Sequence, residues 1–155
     1  MKTRNFIISL SLLFNFGICN AQEAIFYKGN SLYSSDIKFI VEDNRIYRGS
    51  YMYGSNILAR MEGGKVYEGN YLYPSRVLYT IIDNRVYPFN SNFRSDVICN
   101  QIGNSIYRGN SNFQSDIILT IREGRIYAGN TNQILFRFVG NVNLQQIMAI
   151  LTFGF

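Results

Sequence analysis

One spacing constrains this chain more than any other feature: a tyrosine returns every 20 residues, at Tyr27, Tyr47, Tyr67, Tyr87, Tyr107 and Tyr127. Other positions keep the same period. Gly29, Gly49, Gly69, Gly109 and Gly129 follow two residues after the tyrosine, with Phe89 the one departure. Asn30, Ser50, Asn70, Asn90, Asn110 and Asn130 come next. An aromatic (Tyr33, Tyr53, Tyr73, Phe93, Phe113), a serine (Ser35, Ser55, Ser75, Ser95, Ser115) and a β-branched aliphatic (Ile37, Ile57, Val77, Val97, Ile117) complete the unit. No insertion breaks the register from Ile25 to Tyr127. Such a period means stacked copies of one supersecondary unit, none able to bury its apolar face alone.

Each unit reads as a β-hairpin. Asp43-Asn44, Gly63-Gly64, Asp83-Asn84 and Gly103-Asn104 are pairs that tolerate the positive φ of two-residue hairpin turns, and Glu123-Gly124 stands at the same place. The flanking runs are rich in Ile, Val, Tyr and Phe, which suit a pleated, half-buried surface. In the first strand the odd positions, such as Phe39, Val41, Ala59, Met61 and Leu119, are apolar, while Lys38, Arg60, Thr80, Asn100 and Thr120 alternate with them. Period-2 alternation puts the odd set on the core side. In the second strand Ile46 and its equivalents point one way and the Tyr47 series the other. A flat one-sided sheet would strand one of these sets, so a closed or wrapped array is expected. The glycine after each tyrosine is expected where a ring or strand comes close, the Asn/Ser after it as a local turn former, and the Ser35 series as the tie of the next corner.

The ends differ from the middle. Lys2 and Arg4, an apolar run of about 13 residues from Phe6 to Ile18, and small residues up to Ala21 have the layout of a secretory signal peptide, with cleavage after Ala21. The run is short against the roughly 20 residues of a membrane span. Acylation of Cys19 is the alternative, against which Gly17-Ile18 is a poor preceding context. Export leaves 13 cations against 10 anions, a net charge of +3, and Cys99 as the one thiol, so no intrachain disulfide. Charge of alternating sign without a basic run does not point to nucleic acid. At the other end Ile134 is out of step by three residues and Gln133 replaces the aromatic. Asn143, followed by Gln146, has the pattern of a helix N-cap, and Ile147, Ile150 and Leu151 share a helical face. The expected organisation is a signal peptide over 1–21 and one repeat domain over 22–155. Its repeats cover 25–133, and 134–155 form a C-terminal cap with a short helix at 143–151, a final strand being the alternative there. The fold class is all-β, a closed flower-like or superhelical array of hairpins.

The pattern from Ile106 to Ile121, Ile-Tyr-Arg-Gly-Asn-Ser followed by an aromatic and Ser-Asp-Ile-Ile-Leu-Thr-Ile, resembles a group of small exported bacterial proteins built from this unit. In its period the chain also resembles the β-flower proteins, whose hairpins radiate around a pseudo-symmetry axis. It is more distantly similar to choline-binding cell-wall repeats. Those rely on Trp, which this chain lacks, so the likeness does not carry over a choline site. None of these resemblances implies a catalytic residue.

The absence of His removes His-based triads and His metal sites. Asp36, Asp96 and Asp116 share one repeat position, but Asn56 and Arg76 replace them elsewhere, which suits a turn former better than a carboxylate pair or a calcium site. Cys99 takes a core-facing position and reads as a small hydrophobe. Strands of five to seven residues are too short to span a bilayer as a barrel, for which roughly 9–11 are needed. The candidate ligand-binding residues are Tyr51, Tyr53, Tyr71 and Tyr73, clustered in two adjacent repeats, because a tyrosine offers a flat apolar face and a polar tip. Tyr53 and Tyr73 also belong to a regular series which, like the Tyr47 series, is expected to pack as a ladder between repeats. Tyr51 and Tyr71 stand where Ser31, Ser91 and Ser111 stand in other copies, so they are additions to the scaffold. The expected function is a non-catalytic secreted or periplasmic module, without cofactor or metal, that binds a glycan or protein surface. A purely structural or assembly protein is the alternative.

Overall fold

A computed structural model describes residues 24–154, so the signal peptide and the acylation of Cys19 lie outside the described residues. Among these residues there are twelve strands and one α-helix. The strands are β1 (Ala24–Lys28), β2 (Ile37–Glu42), β3 (Arg45–Arg48), β4 (Ile57–Glu62), β5 (Lys65–Glu68), β6 (Val77–Ile82), β7 (Arg85–Pro88), β8 (Cys99–Ile102), β9 (Ser105–Arg108), β10 (Ile117–Arg122), β11 (Arg125–Ala128) and β12 (Ile134–Gly140). The helix is α1 (Leu144–Gly154). Each strand pairs antiparallel with its neighbours in the chain, and β12 pairs with β1, so the array is a closed barrel and not a superhelix. Closure leaves no strand with unpaired backbone along its edge.

Five hairpins are continuous in sequence, and the sixth is assembled from the two ends of the described chain. Phe136, Arg137, Phe138 and Val139 pair with Lys28, Tyr27, Phe26 and Ile25, the register in which Phe39, Ile40, Val41 and Glu42 pair with Arg48, Tyr47, Ile46 and Arg45. Residues 134–140 are therefore the first strand of a sixth hairpin whose turn is cut, and not part of a cap. The three-residue slip at Ile134 has a simple cause. Each of the other five connections carries a three-residue 3-10 turn, such as Ser34–Asp36 or Gly54–Asn56, and the last connection lacks it. Ile134 consequently meets Tyr127 as Ile57 meets Tyr47.

The helix lies where the sequence predicts it, and its burial shows how it closes the array. Asn143 and Gln146 form a reciprocal capping box: the Gln146 amide donates to Asn143 Oδ1 (3.0 Å) and the Asn143 amide to Gln146 Oε1 (2.9 Å). Gln146, Ile147, Met148, Ala149 and Ile150 are all buried. Five consecutive residues cover the full circumference of a helix, so α1 is buried on every side and is a plug, not a lid. A barrel of about eight strands is filled by its own side chains, and twelve leave a lumen that needs more. The filling surface is a ring of equivalent residues, Phe26, Ile46, Val66, Val86, Ile106 and Ile126, each fully buried. A second ring contains Phe39, Ala59, Cys99, Leu119 and Phe136. The helix lies closest to β2, β3, β4 and β5, where Ala59 leaves room for its backbone. One departure from strict alternation comes from a bulge between the first and third residues of the entering strand, as between Ile117 and Leu119. It turns Leu58, Leu78 and Ile118 partly inward onto the same core, and Leu135 joins them.

Two backbone positions explain their residues through φ. Asp43 and Asn44 have φ of 48° and 58°, as a type I′ hairpin turn demands. The glycines after the tyrosines also have positive φ, for example 73° at Gly49, while a Cβ there would meet nothing within 4 Å. Gly29, Gly49 and Gly69 are needed for conformation alone, whereas a Cβ at Gly129 would also come within 3.3 Å of the Ile117 carbonyl, the close approach that the sequence suggested. Phe89 adopts the same conformation, with φ of 51°, without being glycine.

Two predictions follow from this architecture. Ile150→Ala removes buried volume from the plug and should cost about 3 kcal/mol in chemical denaturation; a loss below about 1 kcal/mol would contradict a helix packed on all sides. Phe89→Gly relieves roughly 1–2 kcal/mol of left-handed strain against roughly 0.5–1 kcal/mol of added chain entropy. The net gain should appear as a melting temperature a few degrees higher.

Candidate binding surface

The loops that join one hairpin to the next all leave from the same end of the hairpins, opposite the two-residue turns. They lean back over the outer wall. Arg45, Lys65, Arg85 and Arg125 face outward, and each donates to the asparagine that opens a loop farther round the ring: Asn70 (3.0 Å), Asn90 (2.8 Å), Asn110 (3.1 Å) and Asn30 (2.8 Å). Asn90 and Asn110 also donate to the carbonyls of Pro74 and Arg94 in the preceding loops (2.9 and 3.2 Å). These asparagines thus join neighbouring hairpins and loops of the ring, and are not the local turn formers the sequence suggested. Met52 shares a shallow pocket with Ile25 and Ile40 on the outer wall.

Inside the loop a second device recurs. Ser31 Oγ donates to Asp36 (2.6 Å), Ser91 to Asp96 (2.5 Å) and Ser111 to Asp116. The same hydroxyls accept from the amides of Tyr33, Phe93 and Phe113 (3.1, 3.3 and 3.1 Å). The brace is therefore made by the Ser31 series and not by the Ser35 series. Of the latter, Ser95 adds a bond to Asp96 (2.9 Å). Bonds from Ser91 and then Ser95 hold the Asp96 carboxyl below the usual carboxylate range. The periodic Asp residues have a structural task.

In two adjacent loops both partners of the brace are replaced together. Tyr51 and Asn56 stand for Ser and Asp in one, Tyr71 and Arg76 in the next. Asn56 now donates to the Tyr51 carbonyl (3.2 Å), and Arg76 pairs with Glu68 (2.7 Å). The four predicted site residues are all at the surface: Tyr51 and Tyr53 are 63% exposed, Tyr71 and Tyr73 61%. They form two stacked pairs, Tyr51 on Tyr53 and Tyr71 on Tyr73, each with centroids 5.7 Å apart and planes within 9° of parallel. No ligand fits between rings so close, so only their outer faces and hydroxyls are available.

The two tyrosine series part company here. Tyr47, Tyr87 and Tyr127 are buried and Tyr27, Tyr67 and Tyr107 half-buried, as a scaffold ladder should be. The Arg122 guanidinium lies 4.2 Å above the Tyr127 ring. The Tyr53 series is not a ladder: Tyr33, Tyr53, Tyr73, Phe93 and Phe113 are all exposed, because the loop turns them away from the wall. Phe89, 68% exposed, joins this aromatic surface, to which the sequence does not assign it. Its signal was its place in a glycine series. Leu32, Met52 and Leu72 enrich three successive loops in apolar surface, where Asn92 and Asn112 occupy the equivalent positions.

Cys99 is fully buried, beside Met148 Sδ at 3.7 Å, and burial pushes its thiol up to about 11. It is an inert core residue. Among the described residues no three Asp, Glu or Cys side chains gather as a metal site would require.

A family model described as a 6-fold beta flower protein matches residues 11–100 and, in a second overlapping register, 66–149. No curated protein and no solved structure matches the chain.

Coupling between the two brace positions can be measured. In a double-mutant cycle, Tyr51→Ser and Asn56→Asp should favour one another by about 1 kcal/mol, the worth of one added hydrogen bond. Strictly additive effects on unfolding would show that the Ser–Asp pair does not hold the loop.

Proposed function

The chain belongs to the 6-fold β-flower family, and from that premise we propose that it is a non-catalytic, exported binding module whose outer loops present aromatic rings to a glycan or protein at a surface. The observation that carries this reading is the paired loss of the loop brace. Where Ser and Asp give way at Tyr51/Asn56 and Tyr71/Arg76, the scaffold loses a hydrogen bond and gains an exposed aromatic. Phe89 supports it independently, since an exposed ring is kept at a position whose backbone favours glycine. Clustered exposed aromatic and aliphatic side chains mark interaction sites on soluble proteins. Tyrosine combines an apolar face with a hydroxyl at low entropic cost, which suits recognition of sugars and polar protein surfaces.

The pattern of residues 1–21 supports export, and a chain without His whose periodic carboxylates serve as braces supports the non-catalytic reading. One observation favours the structural or assembly alternative: each added tyrosine stacks within its own loop, which would strengthen that loop without any ligand.

The two readings separate in one experiment. Tyr51→Ala with Tyr71→Ala should leave thermal melting within a few degrees of the parent and reduce retention on cell-wall polysaccharide or surface-protein fractions by about tenfold. Unchanged retention would remove the binding role of these rings. Loss of concentration-dependent association in sedimentation, without any change in retention, would favour assembly.

A further inference from the structure

At the loop end of the barrel the wall and the plug leave one cleft, with a volume of about 410 Å³. Its lining combines Lys28, Lys38 and Arg48 with Phe39, Phe136 and Phe153. From this arrangement we infer that the mouth of the barrel binds a small anion carrying an apolar tail, of the class of medium-chain carboxylates.

The cleft arises from a break in the sixfold pattern. The position of Lys38 is held in the other petals by Leu58, Leu78, Ile98, Ile118 and Leu135. Leu58, Leu78, Ile118 and Leu135 pack against the core cluster around the plug. Lys38 is exposed and does not seal its sector. Lys28 and Arg48 occupy one equivalent position on neighbouring petals, two residues beyond Phe26 and Ile46, which puts them on the inward face at the rim. The next petal carries Glu68 there, and its charge is taken by Arg76. Among the described residues none of the three cations forms an ion pair. The floor is a rigid apolar surface, with Phe39 and Phe136 edge to face at 6.0 Å and Phe136 pressed against the last turn of α1.

Cations beside the carbonyl end of a helix also complement its dipole, which offers a purely structural role. That end carries only about half a negative charge. Three cations, without an ion pair among the described residues, exceed it over an aromatic floor. A charged head would take charge-assisted hydrogen bonds from the lysines and the guanidinium, and a short tail would cover the rings. Neither a bare inorganic anion nor a neutral alcohol would use both halves. The reading is independent of the tyrosines on the outer loops.

The test is calorimetric titration of the full mature chain with decanoate, decanol and acetate, each below the concentration at which it aggregates. Decanoate should bind saturably at one site, with decanol and acetate at least about tenfold weaker. Lys38→Leu installs the aliphatic type of the other petals. It should weaken decanoate about tenfold or more while holding or raising the melting temperature. Arg48→Gln should weaken it about fivefold. Tyr51→Ala with Tyr71→Ala should bind decanoate as the parent does. No saturable decanoate binding, equal affinity for decanol, or full affinity in Lys38→Leu would overturn the inference. So would a clear drop in the melting temperature of Lys38→Leu, which would assign the cations to the helix end.

Discussion

Everything in this molecule depends on the pairing of β12 with β1. It joins strands more than a hundred residues apart and turns five hairpins and two loose strands into a ring. Without it two edges would be open, each with unsatisfied backbone groups. The lumen would also lose the wall that encloses α1. The helix in turn supplies what a twelve-stranded ring lacks, a body wide enough to fill it. Ring and plug are thus one cooperative unit, although each hairpin is local. Such a long closing contact has an entropic cost that grows only slowly with chain length.

The repeat makes departures from it informative. On a sixfold scaffold each position has its own controls in the other petals, so a substituted residue can be judged against what the fold alone needs. Ser31 and Asp36 show the loop's ordinary means of support; Tyr51 with Asn56 and Tyr71 with Arg76 show it given up in pairs. Leu58 and its equivalents show how the mouth is ordinarily sealed, and Lys38 shows one sector left open. Gly49 shows the backbone's preference and Phe89 a residue kept against it. In each case the change removes a scaffold contact or relaxed backbone and adds a chemically useful group at the surface.

Much of this was legible in the sequence because hairpin chemistry is local. The turn pairs, the alternation on each strand, the capping box of Asn143 and Gln146 and the inert core place of Cys99 all rest on residues within a few positions of one another. The errors have a common source. The serine that braces a loop bonds five residues on, within a 3-10 turn that no hydrophobic period reveals. The asparagines reach loops farther round the ring, which a reading of neighbours cannot find. The Tyr53 series shares the regularity of the Tyr47 series, and regularity alone does not distinguish a ring turned out by its loop from one laid against the wall.

The sequence by itself determined the unit: a 20-residue hairpin with a tight two-residue turn, one apolar face, and a helix at the end, because propensities, turn chemistry and period are properties of short segments. It also marked Tyr51 and Tyr71 as additions. Tertiary structure decided the rest. It made the array a closed ring, since closure is set by the tilt and register of all strands together and not by any one repeat. It made the helix a plug, since only a lumen of this width has room for one. It also placed the four tyrosines on the outside as stacked pairs, each tyrosine that replaces a brace serine lying on the aromatic two residues further along its own loop.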